Sequence, residues 1–381
     1  MNITAFGQIV KLDRDLPLVR LDTLASGRDS VFHGERVQAE ERVSAGEMAS
    51  AQAPAPEHVA ATAPEHVAAT APEQAHAPAS VPVPEHASVP VPAFALAGTL
   101  VRAKHATTLL KTSCERATIG DKVRLTLVEQ NSCAIIEEIL PRTTAFVRRD
   151  PGKTALPQVL AANFDHVIIM APITKLHDEY LERALVIACQ TGARVSVLLT
   201  KADLAAPETV RDEQQRIQQL VGTQHTVAAF SSSDARYQTL PATWFAPGSL
   251  SVLLGKSGVG KSTLTNILAG ERVAHTQEVR VRDGKGRHTT VSRSIITLAS
   301  NAGVIDMPGI RGLGLYDAHV GLARAFSDIE DLAAECKFRN CSHTHEPHCA
   351  VQQAVEQGVC SKRRLQSYLR LRAELHDAAG Q

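Results

Sequence analysis

Gly255-Lys256-Ser257-Gly258-Val259-Gly260-Lys261-Ser262 is the stretch that decides the fold. The run Ser249-Leu250-Ser251-Val252-Leu253-Leu254 before it is largely apolar and suits a buried strand. Residues 262–269 after it read as a helix, and Gly270 can end that helix in a left-handed conformation. Strand, glycine loop and helix in that order converge backbone N–H groups and a helix N-terminus on phosphate. Lys261 is then the residue for the β- and γ-phosphates and Ser262 the residue for Mg²⁺, with Thr263 next to it in the first turn.

Two companion motifs flank the loop. Thr200-Lys201-Ala202-Asp203 follows the apolar run Arg194–Leu199, which reads as a parallel strand. That puts the motif at a carboxyl strand edge, where α/β ligands bind. A buried Asp203 could accept hydrogen bonds from N1–H and the 2-amino group of guanine. Adenine offers neither donor, so the carboxylate would be left unpaired against it. Ser231 and Ser232, after the run Val227–Phe230, fall where a second guanine-contact loop is expected. On the other side stands Asp306-Met307-Pro308-Gly309, preceded by a hairpin-like pair, Ile295–Leu298 and Gly303–Ile305. Asp306 is the carboxylate of this pattern that meets Mg²⁺ directly or through a bound water, and the Gly309 N–H is placed for the γ-phosphate. In an ordinary GTPase the guanine motif comes last. Here it comes first, so the order of motifs is rotated.

With that rotation the chain resembles the bacterial circularly permuted GTPases of small-ribosomal-subunit maturation, the RsgA type. Gly284-Lys285-Gly286-Arg287-His288-Thr289-Thr290 looks like that family's first switch, and Pro308 to Leu315 resembles the segment after its magnesium motif. Ala161-Ala162-Asn163-Phe164-Asp165 matches as well. The resemblance covers about residues 97–375, with weaker similarity in the first thirty. It implies a GTP hydrolase, slow alone and stimulated by the small (30S) ribosomal subunit. Such an enzyme binds rRNA, works among ribosome assembly factors and uses GTP, GDP and Mg²⁺.

Cys336-x4-Cys341-x-His343-x5-Cys349 supplies three thiolates and an imidazole, a closed set of the structural tetrahedral zinc type. The family pattern for one Zn²⁺ matches these four residues one for one. His345 and His348 lie inside the same loop and leave the nitrogen ligand open. Cys114, Cys133, Cys189 and Cys360 are scattered and form no disulfide framework, which fits a reduced cytoplasm. No apolar run is long enough to span a membrane.

A length of 381 residues predicts two or three domains. Forty basic residues balance forty acidic ones, so the chain as a whole is no generic polyanion binder. Charge is local. Arg280, Arg282, Lys285, Arg287 and Arg293 crowd the first switch, and Lys362, Arg363, Arg364, Arg370 and Arg372 lie on an expected C-terminal helix. Both sets are candidates for RNA phosphate contact. Residues 49–92 are a low-complexity Ala/Pro/Glu/His insertion, in which residues 55–62 repeat verbatim as 63–70. Proline recurs too often there for a helix, and a disordered, partly extended spacer is expected.

The strands around the insertion, Gly7–Leu12, Leu16–Leu21, Ala97–Arg102, Ile119–Leu125 and Ala134–Leu140, read as a split small β-barrel, which the resemblance makes an OB-fold. The expected architecture is multidomain. It comprises an N-terminal β-barrel over 1–145 with its disordered insertion, a central α/β circularly permuted P-loop GTPase domain over 156–318, and a C-terminal helical zinc-binding domain over 319–381. A cytoplasmic monomer is expected.

Lys261, with Thr289 or Thr290, is assigned to charge stabilisation on the phosphates. Ile310 occupies the usual position of the water-orienting glutamine, which leaves His288 as the local substitute; contact with RNA or packing of the switch is its rival role. Thr200 stands where many GTPases place Asn, so the link from the guanine loop to the phosphate loop is expected to weaken. Two other function classes fit parts of the sequence. One is a non-catalytic zinc and OB RNA-binding module with a structural nucleotide site, and the other is a metal-delivery GTPase. The intact Lys261, Ser262 and Asp306 oppose the first, and the closed ligand set opposes the second.

Overall fold

The computed structural model of the chain describes residues 2–12, 16–24, 98–112, 116–128, 133–148, 158–273, 293–307 and 318–379. The insertion at 49–92 and the first-switch stretch at 284–290 lie outside the described residues.

Five strands make the N-terminal barrel: β1 (Asn2–Leu12), β2 (Leu18–Leu24), β3 (Leu100–His105), β4 (Lys122–Val128) and β5 (Ala134–Ile139). The short helix α1 (Thr107–Thr112) lies between β3 and β4. β1 pairs antiparallel with both β2 and β4, β2 with β3, and β4 with β5, while β3 and β5 run parallel. The circuit β1-β2-β3-β5-β4 therefore closes on itself, which removes the exposed edges. Alternate residues fill it: Ala5, Ile9, Val19, Leu21, Val123, Leu125 and Ile136 are buried.

A hairpin of β6 (Ala145–Arg148) and β7 (Gln158–Ala162) leads out of the barrel. The parallel sheet that follows is built from β8 (His166–Pro172), β9 (Arg194–Thr200), β10 (Thr226–Phe230) and β11 (Leu250–Leu254). It is completed by β12 (Arg293–Thr297) and β13 (Gly303–Asp306), in the order β10-β9-β8-β11-β13-β12. Only β12 runs antiparallel to its neighbour β13. The helices are α2 (Asp178–Gln190), α3 (Pro207–Val221) and α4 (Lys261–Ala269). Because helices flank the sheet, its strands are buried on both faces and read as unbroken apolar runs, as in Val167-Ile168-Ile169-Met170. Each such side chain contributes ~1.5–3 kcal/mol by leaving water.

The segment Ala161–Asp165 joins barrel to sheet. Asn163, at φ 53°, accepts from the Thr143 backbone N–H at 3.0 Å and donates to the Gly120 carbonyl at 3.2 Å. Asp165 accepts from the Leu250 N–H at 2.7 Å, at the start of β11. Buried Asp121 accepts a forked pair from Arg142 at 2.7 and 2.9 Å. β1 also pairs with β12 through Lys11–Ser294 and Leu12–Arg293.

The chain ends in α5 (His319–Ala325), α6 (Ser327–Ala334), α7 (Ala350–Glu356) and α8 (Lys362–Ala379). Gly321 lets α5 reach α2, since a Cβ there would lie 2.3 Å from the Val186 carbonyl oxygen. One apolar core runs from Leu181 and Leu185 of α2 through Phe326 and Leu365 to Cys341 and Cys349. No helix among the described residues is long and apolar enough to cross a membrane.

Candidate nucleotide site and metal centre

The carboxyl ends of β9, β10, β11 and β13 are Thr200, Phe230, Leu254 and Asp306, and they share one edge of the sheet. The phosphate loop leaves β11 there. Gly258 and Gly260 take φ of 78° and 106°, which only glycine adopts cheaply, and a Cβ on either would meet nothing within 4 Å. The loop thus presents bare backbone on its open side. Lys261, buried at the start of α4, donates from Nζ to the carbonyls of Gly255 and Lys256 at 2.8 and 3.3 Å. Ser262 and Thr263 follow it, half-buried, in the first helical turn. Lys256 places its ammonium 4.6 Å from the centre of the Tyr180 ring on α2.

Thr200 is buried and donates its hydroxyl hydrogen to the Val259 carbonyl at 2.8 Å. The link from guanine loop to phosphate loop, expected to weaken without an Asn amide, is therefore made. Lys201 turns the chain at φ 58°. Asp203 lies at the surface, which corrects the expectation of a buried carboxylate. It accepts from the buried Ser231 hydroxyl at 2.5 Å. That bond holds the Asp203 carboxyl below the usual carboxylate range. Ser231 Oγ accepts in turn from the backbone N–H groups of Ser233 and Asp234 at 3.1 and 3.2 Å. Ser232 is exposed, and its carbonyl accepts from Gln238. No motif spacing announces the Ser231–Asp203 bond, and Tyr180 has no sequence signal at all.

Asp306 closes β13, and of its residue only the backbone is described. His288, Thr289, Thr290 and Gly309 lie outside the described residues. Met307 is buried in the main core.

Cys336, Cys341, His343 and Cys349 come together with their ligand atoms all within 4.8 Å of one another. Cys336 Sγ lies 3.8 Å from Cys349 Sγ, and His343 Nδ1 lies 3.6 and 3.5 Å from those two sulfurs. A tetrahedron with Zn–S ~2.3 Å and Zn–N ~2.0–2.1 Å has edges of ~3.8 Å between sulfurs and ~3.6 Å from sulfur to nitrogen. The donor set fits zinc in its chemistry, and Cys336, His343 and Cys349 stand at that spacing. His345 and His348 are exposed and stand outside the cluster, so His343 is the nitrogen donor of the set. Glu346 braces the loop by accepting from the N–H groups of Ser342 and Thr344 at 2.8 and 3.2 Å.

The second basic set reads differently in three dimensions. Arg364 is buried, forks onto Asp328 at 2.6 and 2.7 Å, and donates to the carbonyls of Leu220 and Ala325. Arg363 pairs with Asp178, Arg370 pairs with buried Glu182, and Arg372 donates to the Ser342 carbonyl at 2.9 Å. Only Lys362 of the five stands exposed without such a tie among the described contacts. These arginines fasten α8 to α2, α3, α6 and the Cys/His loop; Arg364 is buried in that role, while Arg363 and Arg370 keep 56% and 39% of their side chains in water. For the first set, the Arg293 side chain and the other four residues lie outside what is described.

The sequence model described as RsgA GTPase matches residues 139–316. A small ribosomal subunit biogenesis GTPase RsgA of Methanosarcina acetivorans is 40% identical over 258 residues, covering 68% of this chain and 69% of the relative. Another of the same name, from Leptospira interrogans, is 37% identical over 273 residues, covering 70% and 74%. This chain belongs to the RsgA GTPase family. With the Streptomyces coelicolor RsgA it shares 40% identity over 241 residues, 63% of this chain, and it spans 65% of that relative's length. The fold agrees with two solved structures. YjeQ of Thermotoga maritima matches with a TM-score of 0.61 at 16% identity over 99% of both chains. YloQ, a circularly permuted GTPase, matches with a TM-score of 0.59 at 18% identity over 98% of this chain and 96% of its own.

Proposed function

We propose that the chain is a GTP hydrolase acting in late small (30S) ribosomal subunit maturation, slow alone and stimulated by the subunit. The observation that carries this reading is the convergence of Asp203, Ser231 and Lys261 on one sheet edge, with Thr200 tying the base loop to the phosphate loop. The names of the relatives support the subunit as partner. On this reading residues 1–145 are the barrel domain, 156–318 the permuted GTPase domain and 319–381 the zinc domain. The protein works in the cytoplasm as a monomer and meets rRNA and assembly factors there.

Asp203 selects guanine by accepting from the base's N1–H and 2-amino group, and Thr200, Lys201, Ser231 and Ser232 shape the base loop. Residues Gly255 to Thr263 hold the phosphates through backbone N–H groups and Lys261. Ser262, Asp306 and one of Thr289 and Thr290 hold Mg²⁺, which supplies charge neutralisation at the phosphates. The Gly309 N–H meets the γ-phosphate, and His288 orients water. Cys336, Cys341, His343 and Cys349 hold one structural Zn²⁺. GTP grips the subunit and GDP releases it, because a phosphate-held switch leads within a few residues into α5.

The deciding experiment measures GTP hydrolysis with and without purified small subunits, and co-sedimentation in GDP, GTP and a non-hydrolysable analogue. Stimulated turnover and analogue-dependent binding are expected. Equal binding in all three states with no rise in turnover would refute the coupling.

A further inference from the structure

Between the ligands Cys336 and Cys341 the chain makes a four-residue tip, Lys337-Phe338-Arg339-Asn340, and all four residues are exposed. Phe338 is 41% exposed and is the only aromatic among the exposed large hydrophobic residues of the described part. Two-fifths of this large apolar residue stays in water, where an apolar surface costs hydration free energy. The tip is held at both ends. The Cys336 N–H donates to the Ala333 carbonyl at 3.1 Å, and the Cys341 N–H closes the turn onto the Phe338 carbonyl at 3.2 Å. The Lys337 ammonium lies 5.8 Å from the ring centre. The span carries two cations and no acid.

We propose that this tip is an RNA contact in which Phe338 stacks on an unpaired base while Lys337 and Arg339 meet the phosphates on either side of it. The inference rests on the reading of the chain as a small-subunit partner and names one surface that would make the contact. An aromatic ring between cations on a rigid turn is the pattern that binds single-stranded nucleic acid, since every base offers a face for stacking and every linkage offers charge. A protein partner's apolar socket would call for the ring and not for the flanking cations. Arg364 and Arg372 of α8 are tied internally, and the tip adds a basic, aromatic projection to the Cys/His segment.

The test compares the full chain with Phe338→Leu, Phe338→Trp and the Lys337→Ala/Arg339→Ala double variant, with zinc content and melting temperature as folding controls. The probes are a short single-stranded RNA oligonucleotide carrying 2-aminopurine and intact small subunits. The expected result is quenching of the 2-aminopurine by the parent and the Trp variant, and binding about fivefold or more weaker for Phe338→Leu, which keeps an apolar side chain but cannot stack. The double variant should flatten the salt dependence of binding. Parent-like RNA and subunit binding by Phe338→Leu would overturn the inference. Weaker subunit binding with unchanged RNA binding would assign the tip to a ribosomal protein and overturn it too. A parent chain that itself fails to bind small subunits would instead sink the functional reading beneath it.

Discussion

Thr200 donates its hydroxyl hydrogen to the carbonyl of Val259 across 2.8 Å, and both residues are buried. One bond therefore joins the Thr200–Asp203 turn after β9 to the glycine loop after β11. The two loops lie on non-adjacent strands with β8 between them, so no backbone ladder joins β9 to β11 directly. Replacing the hydroxyl with a methyl group in Thr200→Val keeps the volume and strands the Val259 carbonyl, at a cost of about 1–3 kcal/mol. The expected outcome is a lower melting temperature and weaker GDP binding, while Thr200→Asn preserves both. Calorimetric titration with GDP and a thermal melt check this, and a Val variant equal to the parent in both would remove the link from the account.

Asp203 should set base choice, with GTP and GDP bound far better than ATP. Asp203→Asn should move preference toward xanthine nucleotides, because an amide can donate to the additional carbonyl. The pH response follows from the Ser231 bond. A carboxyl held below its ordinary range stays ionised as pH falls, so its contribution persists above the ordinary value of ~3.9 and is lost only through the lowered one. Ser231→Ala removes the main cause, and GDP affinity in that variant should begin to fall at a higher pH than in the parent. Identical pH profiles would show that Ser231 does not tune the carboxylate.

Much of this architecture is legible in the sequence because its signals are local. The strands that lead into each motif lie where apolar runs place them. The Cys/His set is legible because metal spacing is a short-range property. The fate of the α8 arginines is not. Arg364 shares a helix face with Tyr368, Leu371 and Leu375, and that spacing marks the inner side. Its partners lie 36 and 144 residues away, at Asp328 and the Leu220 carbonyl, where no sequence pattern points. The Ser231–Asp203 bond, 28 residues apart, is hidden for the same reason.

Arg364→Leu should destabilise the chain strongly. It strips donors from two carbonyls and leaves Asp328 without its partner. Breaking a fully buried pair costs about 3–5 kcal/mol. Asp328 keeps 40% of its side chain in water, so about 2–4 kcal/mol is the better figure here. Arg364→Lys should recover only part of this, since one ammonium cannot replace a planar fork stacked 4.6 Å over Phe326. Denaturant unfolding of the two variants and the parent reads the order directly.

His288→Ala separates two roles. If the imidazole orients water, subunit-stimulated turnover should fall by about 100-fold or more while GDP affinity holds. If it contacts RNA, subunit binding should weaken and turnover at saturating subunit should recover. Single-turnover kinetics at rising subunit concentration distinguish the outcomes.

Zinc removal should be felt well beyond the loop that binds it. Cys341 and Cys349 belong to the same apolar core as Leu185, Phe326 and Tyr368. A chelator, or Cys341→Ser, should therefore lower the melting temperature of the GTPase segment as well as release about one equivalent of zinc. Burial pushes the metal-free Cys341 thiol up to about 12. At neutral pH that thiol is protonated, so metal uptake must expel the proton, and affinity should rise with pH. Titrating zinc into the metal-free chain in buffers of different ionisation enthalpy measures the protons released. Zinc binding without proton release, or a chelated chain that melts like the parent, would contradict the shared core and the thiolate set alike.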